Sequence, residues 1–363
     1  MEKSFSMSPK ELMIIYQYIK PMKIVNSKIK NFKIRSDILD FPKQFQKGID
    51  AAENIGIKKN FKGIVICGMG GSGLPGEILK TWLNANKISL PVILHKNYDL
   101  PFGIDKNYLV VCISYSGNTE ETLSAYQAAK KKNFSIISIA SGGKLVEQTK
   151  NDKFPVVIVP SGIIAPRLAI GYQFAALLKI LNNCDIVKNN LNALLFLEKN
   201  LHPKNLENQG KKIAKKLFKK IPFIYTSENL NVLPYIWKIG LNEAAKIITG
   251  YGYFPELSHH EIMGFWKAGE QQSLNKKLFV IFLKDLSTHP RILKQMKIVR
   301  DLFGKQGIET ETIQVEGKDI NDKIFSNIIL SFWTSYYLAL EYKVDPIKIK
   351  LIDELKEKMK KPL

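Results

Sequence analysis

The stretch FKGIVICGMGGSGLPGEILKTWL, residues 61–83, decides the fold. An apolar run from Ile64 to Cys67 ends in four glycines within six positions, Gly68 to Gly73, and an amphipathic pattern follows. A short buried run, a glycine turn and a 3.6-residue period predict strand, turn and helix, the opening unit of a parallel α/β sheet. Gly68, Gly70 and Gly73 also satisfy the G-x-G-x-x-G spacing of dinucleotide sites, a weak signal when it stands alone.

Outward from this unit the pattern repeats. Apolar runs GIVICG, PVILHK, YLVVCISY, FSIISIA and FPVVIVP alternate with helix-like segments near 73–84, 119–132 and 166–182. The pattern breaks around residues 182–188. A second series then has strands IPFIYTS, KLFVIFLKD and ETETIQVE and helices near 234–249, 289–305 and 319–342. Such alternation predicts two α/β domains built on one plan, each a mainly parallel sheet flanked by helices. The expected division is a helical lead-in at 1–50, with helical patches at Pro9–Ile19 and Ser36–Asn54, and a first domain at 51–185. A connector at 186–205 and a second domain at 206–363 complete it. Ligands of such sheets bind beyond the carboxyl ends of the strands.

Composition narrows the function classes. With 363 residues and 45% hydrophobic content the chain suits two globular cores. No run of 18 apolar residues and no apolar leader is present, so a soluble cytoplasmic protein without membrane association is expected. The net charge of +21 and the lysines of NQGKKIAKKLFKKIP raise the question of nucleic acid. Only Arg35, Arg167, Arg291 and Arg300 are arginines among 54 basic residues, however. Bidentate reading of bases and phosphates favours arginine, so no nucleic-acid partner is expected. Cys67, Cys112 and Cys184 lack C-x-x-C spacing, which predicts neither a disulfide framework nor a zinc site.

The second informative turn is YLVVCISYSGNTEETLSAYQAAKKK. Ser114, Ser116 and Thr119 crowd the start of a helix whose first turn holds Glu120 and Glu121. Hydroxyls and free N–H groups at the positive end of a helix suit a phosphate. An ordinary capping box would explain one hydroxyl but not three within six residues. A dinucleotide fold expects an acid at the end of the second strand, and His95 and Lys96 stand there instead. That pair could accept the extra phosphate of NADP, so a dinucleotide oxidoreductase is a competing reading. The hydroxyl loop favours a single phosphorylated small molecule.

GMGGSG (68–73), SYSGNTEET (114–122), APR (165–167), LNEAAK (241–246) and PELSHHEIMGF (255–265), in this order, resemble the bifunctional phosphoglucose/phosphomannose isomerases of the sugar isomerase (SIS) superfamily. The resemblance runs from about residue 50 to the C-terminus. It implies interconversion of glucose 6-phosphate or mannose 6-phosphate with fructose 6-phosphate through a cis-enediol, with no metal or cofactor. Glu243 matches the family's base, and a carboxylate suits reversible proton transfer between C1 and C2. Without the resemblance it would read as an exposed helical Glu beside Lys246. His259 matches the histidine of ring opening, supplied across a homodimer interface. Arg167 matches the arginine that steadies the enediolate, and Lys356 is the chosen candidate, among several lysines of the C-terminal tail, for the family's lysine that assists ring opening. Ile347 stands where relatives commonly carry Thr. The phosphate-binding role falls on Gly70, Gly71, Ser72, Ser114, Ser116 and Thr119. The competing reading within the superfamily is a non-catalytic phosphosugar-binding regulator, which would need the phosphate loop but not Glu243, His259 and Arg167 together.

Overall fold

The structure, a computed structural model, describes residues 33–163, 165–188, 191–266 and 272–359. The expected patch at Pro9–Ile19 lies outside them. Helix α1 (33–39) and α2 (Gln44–Ala51) lead into β1 (Gly63–Cys67), α3 (Leu74–Ala85), β2 (Val92–His95) and β3 (Tyr108–Ile113). The first unit continues with α4 (Glu120–Lys131), β4 (Ser135–Ala140), α5 (Gly143–Asn151), β5 (Val156–Ile158) and α6 (Ile170–Asn183). Helices α7 (Leu191–Asn200) and α8 (Pro203–Leu217) precede the second unit. That unit comprises β6 (Ile221–Ser227), α9 (Val232–Gly240), β7 (Gly250–Phe254), α10 (Gln272–Asn275), β8 (Leu278–Lys284), α11 (Pro290–Lys305), β9 (Glu309–Gln314) and α12 (Ile320–Glu341). Helix α13 (Lys350–Met359) closes the described chain.

Both sheets are parallel, as the alternation predicts. Their strand orders are β2-β1-β3-β4-β5 and β7-β6-β8-β9, so the second sheet repeats the first with one strand fewer. Strand periodicity of two explains how each sheet is covered on both faces. Ile64 and Ile66 of β1 point into the large core shared by the two sheets, where α3, α6, α9 and α12 lie. Val65 and Cys67 point the other way, against Ala125 and Tyr126 of α4. In the second sheet Ile281 joins the shared core, while Val280 and Phe282 meet Met296 and Val299 of α11. Trp82, Trp237 and Trp333 are fully buried in the shared core; truncating any of them to Ala should cost about 3–5 kcal/mol.

In each sheet the chain changes direction around the first strand of the unit. Helix α3 covers one face and α4 the other, so the loops after β1 and β3 lead to opposite faces at the switch point, where sheets of this kind bind ligands in a crevice. Three local expectations are corrected. Helix α5 is absent from the sequence reading, because GKLVEQTKN is short and mostly polar; Leu145 and Val146 nonetheless reach the outer core. The helix expected over 234–249 ends at residue 245, in a π-helical turn (Leu241–Ala245), and Lys246 takes left-handed backbone angles of φ 61° and ψ 33°. The freed chain forms β7, whose sequence GYGYF carries too little aliphatic character to read as a strand. Among the described residues no helix is long and apolar enough to cross a membrane.

Candidate active site

The crevice at the ends of β1 and β3 holds the two loops singled out from the sequence. Gly70 has φ +51°, a region open chiefly to glycine, and a Cβ there would meet nothing within 4 Å, so the loop presents bare backbone to open space. Gly71 serves packing: a Cβ would fall 2.9 Å from the Cα of Arg167. The glycine loop therefore sits directly on the turn Pro166–Leu168 that carries the arginine. Ser72 is buried, and its Oγ accepts hydrogen bonds from Tyr115 N at 2.9 Å and Gln173 Nε2 at 3.1 Å. That hydroxyl ties the first loop to the second.

In the second loop Ser114 is buried and Ser116 exposed. Ser114 Oγ lies 2.9 Å from Thr119 Oγ1 and accepts from Gly117 N at 3.2 Å. Thr119 occupies the N-cap position of α4, yet its side chain makes no capping hydrogen bond. The capping-box reading therefore does not hold here, and the first N–H groups of α4 keep their donors. Gly117 holds the loop down: with φ +69° it packs so closely on Gly142 that a Cβ would fall 1.8 Å from the Gly142 carbonyl oxygen.

Arg167, in the turn before α6, and Glu243, in the π-helical turn after α9, bring the two units together. Arg167 Nη1 donates to Glu243 Oε2 at 3.2 Å, and Nη2 donates to the carbonyl of Pro346 at 2.8 Å. The arginine side chain is 5% exposed and the glutamate's 26%. Burial lowers the Arg167 pKa, and the Glu243 charge opposes the shift. A guanidinium carries five N–H donors, and the described residues take two of them. Glu243 uses only Oε2 in this pair, and Oε1 accepts from no described residue. The π-helical turn at Leu241–Ala245 presents this carboxylate, and such turns recur at functional sites.

Two residues near this pair escape the sequence reading. Lys246 donates from Nζ to the carbonyl of Glu243. Its ammonium is pulled below the ordinary lysine range by burial and then by Arg167, against Asp345 and Glu243. Pro346 reaches the site because the segment after α12 runs back across Arg167, and Asp345 Oδ1 accepts from the Ile347 N–H at 2.9 Å. Lys246 stands in the sequence only as a helical neighbour of Glu243, and Pro346 carries no signal, since a main-chain carbonyl leaves no trace in side-chain type.

His259 and Lys356 are not bonded to this pair among the described residues. His259 is exposed at the end of the short helix Glu256–His259, and no hydrogen bond or ion pair among the described residues joins it to Arg167 or Glu243. Its neighbour His260 lies 3.4 Å from Glu256. Lys356 is exposed on α13, a helix without a buried residue. At the end of β2, His95 donates to the Tyr98 carbonyl at 3.0 Å, and Lys96 pairs with Glu77 beneath the Tyr235 ring. The basic pair that could have met NADP is thus committed to protein partners.

A family model described as the SIS domain matches residues 59–154, and one described as the bacterial phospho-glucose isomerase C-terminal SIS domain matches residues 206–359. A bifunctional phosphoglucose/phosphomannose isomerase from Aquifex aeolicus (strain VF5) is 34% identical over 302 residues, covering 83% of this chain and 91% of the relative. Another, from Caldicellulosiruptor bescii, is 35% identical over 335 residues, covering 89% and 97%. A solved hypothetical protein from Thermus thermophilus shares the fold, with a TM-score of 0.68 at 13% identity, over 93% of this chain and 95% of that one. Two SIS domains in one chain, and such identity along most of its length, place this protein in the bifunctional phosphoglucose/phosphomannose isomerase family.

Proposed function

We propose that the protein interconverts glucose 6-phosphate and mannose 6-phosphate with fructose 6-phosphate. The observation that carries this reading is the buried Arg167 beside Glu243, adjoining a glycine loop and a hydroxyl loop at a free helix start. The loops would hold the phosphate through Gly70, Gly71, Ser72, Ser114, Ser116 and Thr119. The Glu243 carboxylate takes the C2 proton of the open-chain aldose, the released electron pair forms the C1–C2 double bond, and negative charge passes to O1. A proton moves from O2 to O1, Glu243 returns its proton to C1, and the C2 carbonyl forms. Glucose and mannose differ only at C2, and that difference vanishes in the enediol. Arg167 faces the developing charge with donors the protein leaves spare, an arrangement worth roughly 3 kcal/mol or more in such sites.

Ring opening needs a proton at the ring oxygen and the loss of one from the C1 hydroxyl. His259 and Lys356 fill these roles in our reading, and both come from a second copy of the chain. Their exposure, with no bond to Glu243 among the described residues, supports this. So does α13, whose Leu351, Leu355 and Met359 are 81%, 60% and 55% exposed along one stripe. Burying that stripe against a second copy would carry Lys356 with it.

A coupled assay of fructose 6-phosphate formation from each aldose phosphate, with and without EDTA, tests the proposal. Turnover of both, indifferent to the chelator, is expected. Binding of a sugar phosphate without turnover would instead favour the regulator.

A further inference from the structure

Ser72 Oγ accepts two hydrogen bonds, from Tyr115 N at 2.9 Å and from Gln173 Nε2 at 3.1 Å. A hydroxyl has two lone pairs and one proton. Both lone pairs are occupied, so the proton alone is left to give, and no described residue takes it. Tyr115 belongs to the hydroxyl loop and Ser72 to the glycine loop, so the uncommitted proton lies between the two phosphate-binding segments.

The side chain that enforces this is itself under tension with its surroundings. Gln173 is fully buried on α6, and its Oε1 has no hydrogen-bond partner. An orphaned buried amide oxygen destabilises a fold, and a methionine or leucine of similar size would avoid that cost. Gln44, also buried, shows what a purely structural glutamine does here. Its Nε2 donates to the Leu168 carbonyl at 2.8 Å, and its Oε1 accepts from Tyr172 N at 3.2 Å. Gln173 uses only its donor end, and uses it on Ser72.

We infer that Gln173 is a positioning residue: its amide N–H fills the second lone pair of the Ser72 hydroxyl and so fixes that hydroxyl as a hydrogen-bond donor to the substrate phosphate. The inference rests on the phosphate reading of the two loops and extends it to a residue that does not touch substrate. Loss of the Gln173 donor would let Ser72 rotate and accept, and an acceptor facing a phosphate repels it. A carboxylate at 173 would go further, capturing the Ser72 proton for itself.

The test is the affinity for inorganic phosphate, by calorimetry, and the KM for fructose 6-phosphate, in the full-length wild type, Gln173→Met, Gln173→Glu, Ser72→Ala and the double variant Ser72→Ala/Gln173→Met. Gln173→Met should weaken phosphate binding on the order of tenfold, and Gln173→Glu should weaken it more. Adding Gln173→Met to Ser72→Ala should cause no further loss, because the amide acts only through the hydroxyl. Thermal unfolding identifies any variant that fails to fold, and Gln173→Leu then replaces Gln173→Met. Wild-type affinity in the Gln173 variants, or additive losses in the double variant, would overturn the inference while leaving the phosphate site standing. A wild type that neither binds phosphate nor turns over fructose 6-phosphate would overturn the site and the inference together.

Discussion

The guanidinium of Arg167, in a turn of the first unit, holds one oxygen of the Glu243 carboxylate at 3.2 Å, 76 positions away in the second unit, and no described residue donates to the other oxygen. The proposed base must be held in place yet keep an oxygen for the proton, and this pairing would allow both. Glu243→Gln keeps the hydrogen-bonding shape but cannot take a proton. Its kcat should fall by about 10²–10⁴ with the KM changed only a few-fold; turnover near wild type would remove Glu243 from the mechanism. Arg167→Lys loses the second donor arm that reaches Pro346, and kcat should drop by roughly 10² or more.

The proposed sharing of sites between two copies predicts complementation. Glu243→Gln and His259→Asn homodimers should both be nearly inactive. In a mixture that has exchanged subunits, half the dimers are mixed and each contains one intact site, so about a quarter of wild-type activity should return. Leu351→Glu/Leu355→Glu should yield monomers by sedimentation velocity and abolish turnover. Full activity in a monomeric variant would place His259 and Lys356 outside the reaction.

The hydroxyl loop depends on a glycine. Gly117→Ala introduces a methyl 1.8 Å from the Gly142 carbonyl oxygen at a φ of +69°. The loop must move, and a cost of about 2 kcal/mol or more is expected, read as a lower Tm together with weaker phosphate affinity. Gly70→Ala meets no neighbour, so only the φ strain applies and a smaller loss, about 1 kcal/mol, should follow.

Acid stability has an identifiable contributor at Glu207. Burial alone would raise this carboxyl's pKa, but hydrogen bonds from Arg35, Lys204 and Tyr337 outweigh it and hold the group at about 2, against an ordinary value of 4.5. The depressed folded value means that the stabilisation is complete above about 4.5 and is lost as pH falls through about 2. Glu207→Gln cannot titrate, so it should be less stable than wild type by roughly 2 kcal/mol near neutrality. That gap in Tm should close as the pH is lowered through this window. A gap that stays constant with pH would show that the ion pair contributes nothing to folding.

The glycine and hydroxyl loops and both parallel sheets were legible because each depends on local sequence. A buried apolar run, a glycine cluster and hydroxyls before a helix act within ten residues of one another, and the period of the apolar pattern records which faces are covered. The end of the helix through Glu243 was not legible in the same way. LNEAAKIITG continues a good helical pattern, yet the chain leaves the helix at Lys246. Packing of Leu241 and Ala245 in the core beside α12 and the pairing of β7 with β6 outweigh the local preference. The strand GYGYF follows from that departure, since it is held by its neighbour rather than by its own propensity.

Glu243, Arg167 and the loop residues could be named from type and motif, but their names say nothing of mutual distance. Sequence by itself determined the doubly repeated α/β plan and the chemistry available, because secondary-structure period and residue type are properties of short segments. Only the tertiary structure decided that Arg167 meets Glu243 and the Pro346 carbonyl, that Gln173 meets Ser72, and that neither His259 nor Lys356 is bonded to Glu243 among the described residues. Those relations join residues up to 179 positions apart. They are set by how two sheets pack across one core, and no local pattern encodes that.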